Sequence, residues 1–431
     1  MSVIATPAAA HRRHPAHDGR LLTADAPVPR VGPADPLGPA PRDDLDRHHA
    51  RLGPRPRGGP DLIDDVEAAA LTGRGGAAFP VAGKWRIALS ATAATVVANA
   101  AESEPLSAKD GTLLRQRPHL VLDGLAITAE ALGAARAVVW LHGDDDGAHR
   151  ALAEALAQRR AAVPLDPVIE LVRGPSHLLA GESGAIARAL DGGPALPRLR
   201  RGPRGHGPVT VVHNAETLAR VGLLARGLSG DGTRLLTVLT PDARLVVEVA
   251  RGTPTLDVLR GTGLDVARPP EAVLLGGLGG TWLPWREVVA SVVDDGAAPG
   301  RVGPSLGRVL GPGVLAPIPP GSCGLAETAA AVAYLARMSA RQCGPCLFGL
   351  PALGHALAEL VHGRARAADA RRLVEDLDAI RGRGACHHPD ATVGLVRSAL
   401  DVFAGDVVAH LSGRPCVGAR TVTLPVPGIR A

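Results

Sequence analysis

Four short apolar runs, TVVANA, ARAVVWLHG, VIELVRG and TVVHNAE, recur through the first half of the chain, with helical stretches such as AHRALAEALAQRRAA between them. A strand that is apolar at every position is covered on both faces, and alternation with helices is the pattern of a parallel sheet. The sequence therefore specifies an α/β domain, from a helix at DLIDDVEAAALTG, with Gly73 as its stop, to about Gly227. In such sheets, ligands bind where the strands end, at their carboxyl edge.

The rest of the chain divides by pattern. Residues 1–60 hold eleven prolines and little apolar periodicity, so they are expected to form a disordered arm. The α/β domain spans 61–227, and a small β-rich module follows at 228–290, with TRLLTVLT, RLVVEVARG and EAVLLGG around one short helix. A Pro/Gly-rich link, 291–317, leads to a helical bundle at 318–412 and a tail at 413–431. Four amphipathic segments build that bundle, the last being PDATVGLVRSALDVFAGDVVAHL.

A chain of 431 residues is long enough for several cores. The formal charge is +5, but nine Arg against six Asp in residues 1–60 supply +3 of it, so the body carries no nucleic-acid footprint. Five cysteines do not make a secreted disulfide framework, and neither a leader nor a span of about 20 uncharged residues is evident. A reducing cytoplasm is the expected setting.

Rare residues mark the candidate site. The chain has 47 Lys+Arg, yet its only lysines are Lys84 and Lys109, and its only asparagines are Asn99 and Asn214. Lys84 closes GRGGAAFPVAGKW, where Gly73, Gly75 and Gly76 can bring backbone N–H groups close to an anion, and Arg74 adds a second cation. Asn99 opens NAAESEPLSAKD, which carries Glu102 and Glu104 and ends with Lys109. Asn214 lies at another strand end, and Gly181 and Glu182 sit on a turn before a helix in LLAGESGAIARAL. A single glycine-rich turn with one lysine is ordinarily a plain surface loop. Three such loops with Asn214 converge instead on one nucleotide-like or flavin-like ligand.

The order GRGGAAFP..GKW, NAAESEP...KD, AGESGAIARALDG, TVVHNAETLA, GGLGG and CGPC resembles the flavin-carrying subunit of bacterial NADH:quinone oxidoreductase, over roughly Asp61 to Leu411. The resemblance implies a Rossmann-like FMN-binding domain, a small β-grasp (ubiquitin-like) module and a C-terminal four-helix bundle holding an iron–sulfur cluster. It also implies FMN contacts from Gly73, Arg74, Gly75, Lys84, Asn99, Gly181, Asn214 and Thr217, with Glu102 and Glu182 as the catalytic carboxylates bordering the isoalloxazine. NADH is the implied donor and a redox partner protein the implied acceptor, either a ferredoxin or another oxidoreductase subunit, with a membrane-bound complex reached through that partner. The departures fall where the family orients NADH: Ala101 and Ser183 replace acidic residues, Ile87 an aromatic, and His213-Asn214 an Asn-Asn pair. RLRRGPRGHG stands in place of a Phe-bearing segment, while Phe79 is retained.

Cys343-Gly344-Pro345-Cys346 has thioredoxin spacing, but the segment before it is helical and no strand pattern is near, so a dithiol βαβ context is missing. Iron–sulfur sites draw two or three thiolates from one loop and one from farther along. The resemblance makes Cys343, Cys346 and Cys386 the ligands and puts Ala340 where a fourth cysteine would stand. The options are a [4Fe–4S] cluster with water, His387, His388 or another fourth ligand, a [3Fe–4S] cluster, or no cluster. Cys323 begins a helix and resembles a non-ligand cysteine of that family, ranking behind the trio as a substitute ligand, and Cys416 has no partner pattern and reads as a free thiol. Three functions follow: a redox flavoprotein fed by NADH or by a ferredoxin, a non-catalytic assembly subunit, or a thiol–disulfide enzyme.

Overall fold

The computed structural model describes residues 20–22, 30–31, 43–163, 166–197, 208–228, 232–294, 306, 310–414 and 416–429. Among them ten strands form two sheets. In chain order they are β1 (Arg30–Val31), β2 (Ala94–Asn99), β3 (Arg136–His142), β4 (Ile169–Gly174), β5 (Val209–Asn214), β6 (Thr233–Leu239), β7 (Arg244–Ala250), β8 (Ala272–Leu275), β9 (Thr281–Pro284) and β10 (Val314–Pro317).

The four apolar runs become β2 to β5, a wholly parallel sheet in the order β4-β3-β2-β5. The chain leaves β2 toward β3 and β4, then returns to the other side of β2 as β5. The order of strand addition therefore reverses between β2 and β5, and such a switch point leaves a crevice above the carboxyl ends. Helices Pro118–Ala131 and Ala215–Leu224 close one face, crossing where Gly124 meets Leu218. A Cβ at 124 would stand 1.8 Å from the Leu218 carbonyl oxygen, so only glycine permits that approach.

The second sheet is mixed, in the order β1-β7-β6-β10-β8-β9, with β10 parallel to β6 and the other pairs antiparallel. Its two faces follow the period of two. Val273 and Leu275 pack with Val258, Leu259 and Val288 of the sheet's own short helices. Leu274, Val314 and Ala316 pack against the C-terminal helices through Leu325, Leu335 and Val396.

Four expectations need correction. The supposed link 291–317 contains β10, a core strand whose four residues look like loop because glycines and prolines flank them. The last long helical segment is two helices, His388–Val402 and Ala404–Leu411. They part at Phe403, which is buried edge-on against Trp282 with ring centroids 5.2 Å apart. In the arm expected to be disordered, Leu45–Leu52 is a helix capped by Asp44. It docks through Leu45, Leu52 and His48, whose Nε2 bonds Asp123 at 2.8 Å. Finally, the helix Leu62–Ala68 stops before Gly73, with Ala70 left-handed at φ 49°. Most of the remaining arm and the 198–207 stretch lie outside the described residues.

The helices Gly324–Arg337, Leu350–Val361, Ala367–Ile380 and His388–Val402 pack on one apolar core. Beyond Leu411 the tail turns back onto them: Glu327 accepts hydrogen bonds from the N–H groups of Thr423 and Leu424, and Leu424 and Val426 are buried.

Candidate functional site

Asn99 and Asn214 end neighbouring strands and stand opposite each other in the register, one on each side of the switch point. The glycine loop lies over this edge. The Arg74 N–H donates to Thr217 Oγ1 at 2.9 Å, and a Cβ on Gly75 would come within 3.4 Å of the Asn214 side chain. The third strand-end loop joins through Asn99, whose Nδ2 donates to the Gly181 carbonyl at 2.8 Å. Gly181 is forced by Ser103, whose Oγ would lie 2.1 Å from a Cβ at that position. Gly73, Arg74, Gly75, Asn99, Gly181, Asn214 and Thr217 thus lie along one carboxyl edge.

Lys84 reaches this edge from the helix Val81–Leu89. Its Nζ donates to the Val212 carbonyl at 3.1 Å and lies 5.8 Å from the centre of the Phe79 ring. Burial pulls its ammonium below the usual lysine range, and among the described residues no carboxylate pairs with it. Even a half-buried cation without a counter-ion carries a desolvation cost. An anion such as a phosphate, held by Lys84 and the glycine-loop amides, fits that deficit.

The other rare lysine has a different part. Lys109 is fully buried, with Nζ 2.7 Å from Asp110, 3.1 Å from Glu216 and 3.2 Å from Asn214 Oδ1. Burial disfavours its charge, but Asp110 and Glu216 outweigh burial and raise its pKa. Burial would likewise raise Glu216, yet Lys109, Arg220 and Arg74 bring it down to about 2. Asn214 is clamped by this network, donating from Nδ2 to Asp110 at 2.6 Å and capping the helix Ala215–Leu224 through Glu216 N.

The two glutamates expected beside the ligand are both occupied by helix starts. Glu102 accepts from Asp110 N, Gly111 N and Ser107 Oγ at 3.1, 2.9 and 2.5 Å, fixing the first turn of Lys109–Gln116. Glu182 caps the helix Ser183–Leu190 through Ala185 N at 3.0 Å. His213 accepts the Trp85 indole N–H at 2.9 Å, and burial followed by the charge of Lys84 holds it neutral, with a pKa of about 3.

Glu104 was legible as a neighbour of the cradle but not as a bridge between units. Its Oε1 accepts from Leu106 N at 3.1 Å and from Leu278 N of the GGLGG loop at 3.0 Å. Gly277, at φ 84°, leaves room for it: a Cβ there would overlap the Glu104 carboxyl at 2.1 Å. Burial pushes this carboxyl up to about 7.

The cysteine loop starts at Arg341, left-handed at φ 53°, and runs into a wide helical turn at Pro345–Gly349, a form frequent at functional sites. Cys343 and Cys386 both act on Cys346, whose thiol is pushed up to about 12, first by burial and then by these two neighbours. Cys343 and Cys386 are the neighbours of Cys346 that this influence identifies, and the side chain at 340 is a methyl. This set of soft donors suits an iron–sulfur cluster with one non-cysteine position. His388 is committed elsewhere, its Nε2 lying 2.9 Å from the Leu335 carbonyl, while His387 is exposed.

One short helix joins the two centres. Ser183–Leu190 begins at Glu182, and its Arg188 donates to Gln342 Oε1 at 3.1 Å, next to Cys343. Gln342 Nε2 in turn donates to the Pro197 carbonyl at 3.0 Å. Eight helical residues span about 12 Å.

Comparison with known proteins agrees with this geometry. Residues 66–223 match the family described as "Nuo51 FMN-binding domain", and residues 326–410 match "NADH-ubiquinone oxidoreductase-F iron-sulfur binding region". An F-type subunit of NADH-quinone oxidoreductase from Rhizobium meliloti is 27% identical over 385 residues, covering 83% of this chain and 90% of the relative. The HndC subunit of the NADP-reducing hydrogenase of Solidesulfovibrio fructosivorans is 26% identical, covering 83% and 77%. A solved NAD+-reducing [NiFe]-hydrogenase in the H2-reduced state superposes with a TM-score of 0.72 at 26% identity, over 82% of this chain. The chain spans 63% of that hydrogenase chain's length. The two matched regions together define a flavin and iron–sulfur electron-transfer oxidoreductase. The chain belongs, as a divergent member, to the family of F-type subunits of NADH-quinone oxidoreductase.

Proposed function

We propose that this chain takes electrons from NADH at FMN on the carboxyl edge of the parallel sheet and passes them to an iron–sulfur cluster on Cys343, Cys346 and Cys386. In this reading the parallel-sheet unit is a Rossmann-like domain, the mixed sheet a β-grasp module and the helical region a four-helix bundle. The observation that carries it is the helix Ser183–Leu190, which starts at the cradle and ends against the residue preceding Cys343.

Bound FMN would supply the change from two-electron to one-electron chemistry. The protein's own part is to hold and orient. Lys84 and the Gly75 amide would hold the phosphate, while Gly73, bonded to the Phe79 carbonyl, and Arg74, buried beside Glu216 with its N–H on Thr217, set the shape of that loop. Asn99 ties the Gly181 turn to β2, and Asn214 is set by Lys109 and Asp110, so three loops keep one shape around the ligand. Glu102 and Glu182 hold helix starts at the same rim, where a nicotinamide would approach.

The acceptor is a partner subunit that docks where Leu347 and Phe348 follow Cys346, Phe348 being 75% exposed. No described helix is long and apolar enough to cross a membrane. We place the chain in the cytoplasm, with any membrane attachment made through the partner. Anaerobic protein reconstituted with FMN, iron and sulfide tests the donor. NADH is expected to bleach the flavin band; bleaching by a reduced ferredoxin and not by NADH would assign the donor to the ferredoxin.

A further inference from the structure

A second group of soft ligands lies at the other end of the helical region. Cys323, which precedes the helix Gly324–Arg337, His410, near the end of Ala404–Leu411, and Cys416, in the tail, bring their Sγ and imidazole atoms within 4.8 Å of one another. Cys323 and His410 are fully buried.

The imidazole is already oriented. His410 Nδ1 lies 3.2 Å from the Leu360 carbonyl and 3.0 Å from the Val361 carbonyl, so it carries the proton and donates. Nε2 is left with its lone pair, 3.4 Å from Cys416 Sγ and 3.8 Å from Cys323 Sγ. Metal-bound histidines are held in this way, with the far nitrogen donating to a backbone carbonyl. Tetrahedral zinc bonds of about 2.3 Å to sulfur and 2.0 Å to nitrogen put neighbouring S and N ligands about 3.6 Å apart. The two measured separations straddle that value.

The surroundings also suit a fixed site. Gly418 is pressed against the backbone of Gly321–Cys323, where a Cβ would meet the Gly321 carbonyl at 2.4 Å. Glu327 holds the tail just beyond, through Thr423 and Leu424. Cys416 is partly exposed, which gives a cation an entry path and leaves water as the fourth ligand.

We propose that Cys323, His410 and Cys416 form a metal site for a thiophilic divalent cation, zinc above all, which staples the C-terminal tail to the helical region. Binding displaces one proton from each thiol and the weak Cys416 N–H contact to Nε2, and no electron moves.

The test uses the full chain, reduced and stripped with a chelator, then titrated anaerobically with Co2+ or Zn2+. In C343S, which weakens the other thiol cluster, one equivalent of Co2+ is expected to give thiolate charge-transfer and tetrahedral absorption. Zn2+ is expected to raise the melting temperature. Both responses should vanish in C343S/C416S, a change at a partly exposed position. X-ray absorption of zinc in C343S/C386S, where all three proposed ligands are intact, should read two sulfurs and one imidazole. Equal metal responses in C343S and C343S/C416S, a shell without imidazole, or a Cys323–Cys416 disulfide in the freshly purified protein would each overturn the site.

Discussion

The carboxyl edge of the parallel sheet and the cysteine loop are built on opposite plans. At the edge the polar groups find partners inside the protein: Lys109, Asp110, Glu216 and Asn214 form one buried cluster, Glu102 and Glu182 cap helices, and Lys84 has no carboxylate partner among the described residues. The cysteine loop has a left-handed non-glycine residue, a wide helical turn and three sulfurs, two of them partly exposed, with an exposed phenylalanine alongside. A rigid pocket suits a ligand recognised by shape and charge. A site that hands electrons to another protein must stay near the surface. Damage at the edge should therefore appear as lost stability or lost ligand, and damage at the loop as lost electron transfer in a folded protein.

Lys109→Met sharpens this contrast most. Removing the ammonium leaves Asp110 and Glu216 buried without their cation, so unfolding free energy in denaturant should fall by about 3–5 kcal/mol. A loss below about 1 kcal/mol would break the account of the edge as a charge-balanced core.

Next comes the pH dependence of Glu104. Its folded pKa of about 7 lies above the ordinary 4.5, so the folded chain binds this proton more tightly than the unfolded one. Its contribution is complete below pH 4.5 and is lost as pH rises through 7, at most about 3 kcal/mol. Stability measured from pH 4.5 to 7.5 should lose that part of its decline in Glu104→Gln. An unchanged profile would mean that the bridge to Leu278 does not hold a protonated acid.

Lys84→Gln should bring the smallest thermodynamic change. FMN affinity is expected to drop about 10- to 100-fold, the weight of one charge-assisted hydrogen bond, with little change in melting temperature. Wild-type affinity in this variant would remove Lys84 from the phosphate site.

What could be read in advance follows from how local each signal is. The strands β2, β3 and β5 are Val-rich runs whose burial shows in the sequence itself, whereas β4, at the sheet edge, is only partly covered and carries Glu170 and Arg173; the scarcity of Lys and Asn led to Lys84, Asn99 and Asn214. The strand β10 was hidden, because four residues between glycines and prolines look like a link until β6 and β8 pair with them. The helix at Leu45–Leu52 was hidden too, since a histidine completes its buried face by bonding Asp123. That Glu102 and Glu182 hold helix starts depends on chain direction after a strand, which residue type does not encode. The Cys323, His410 and Cys416 cluster joins positions 87 and 6 residues apart, with no motif between them.

The central claim is that electrons pass between the sheet-edge site and the cysteine loop. Anaerobic, reconstituted full chain is treated with NADH, as wild type and as Cys346→Ser, and followed by visible absorption and EPR. The flavin band should bleach in both, while the signal of a reduced cluster should appear only in the wild type. Bleaching of iron-loaded wild-type protein without any cluster signal, or an equal signal in Cys346→Ser, would contradict the claim.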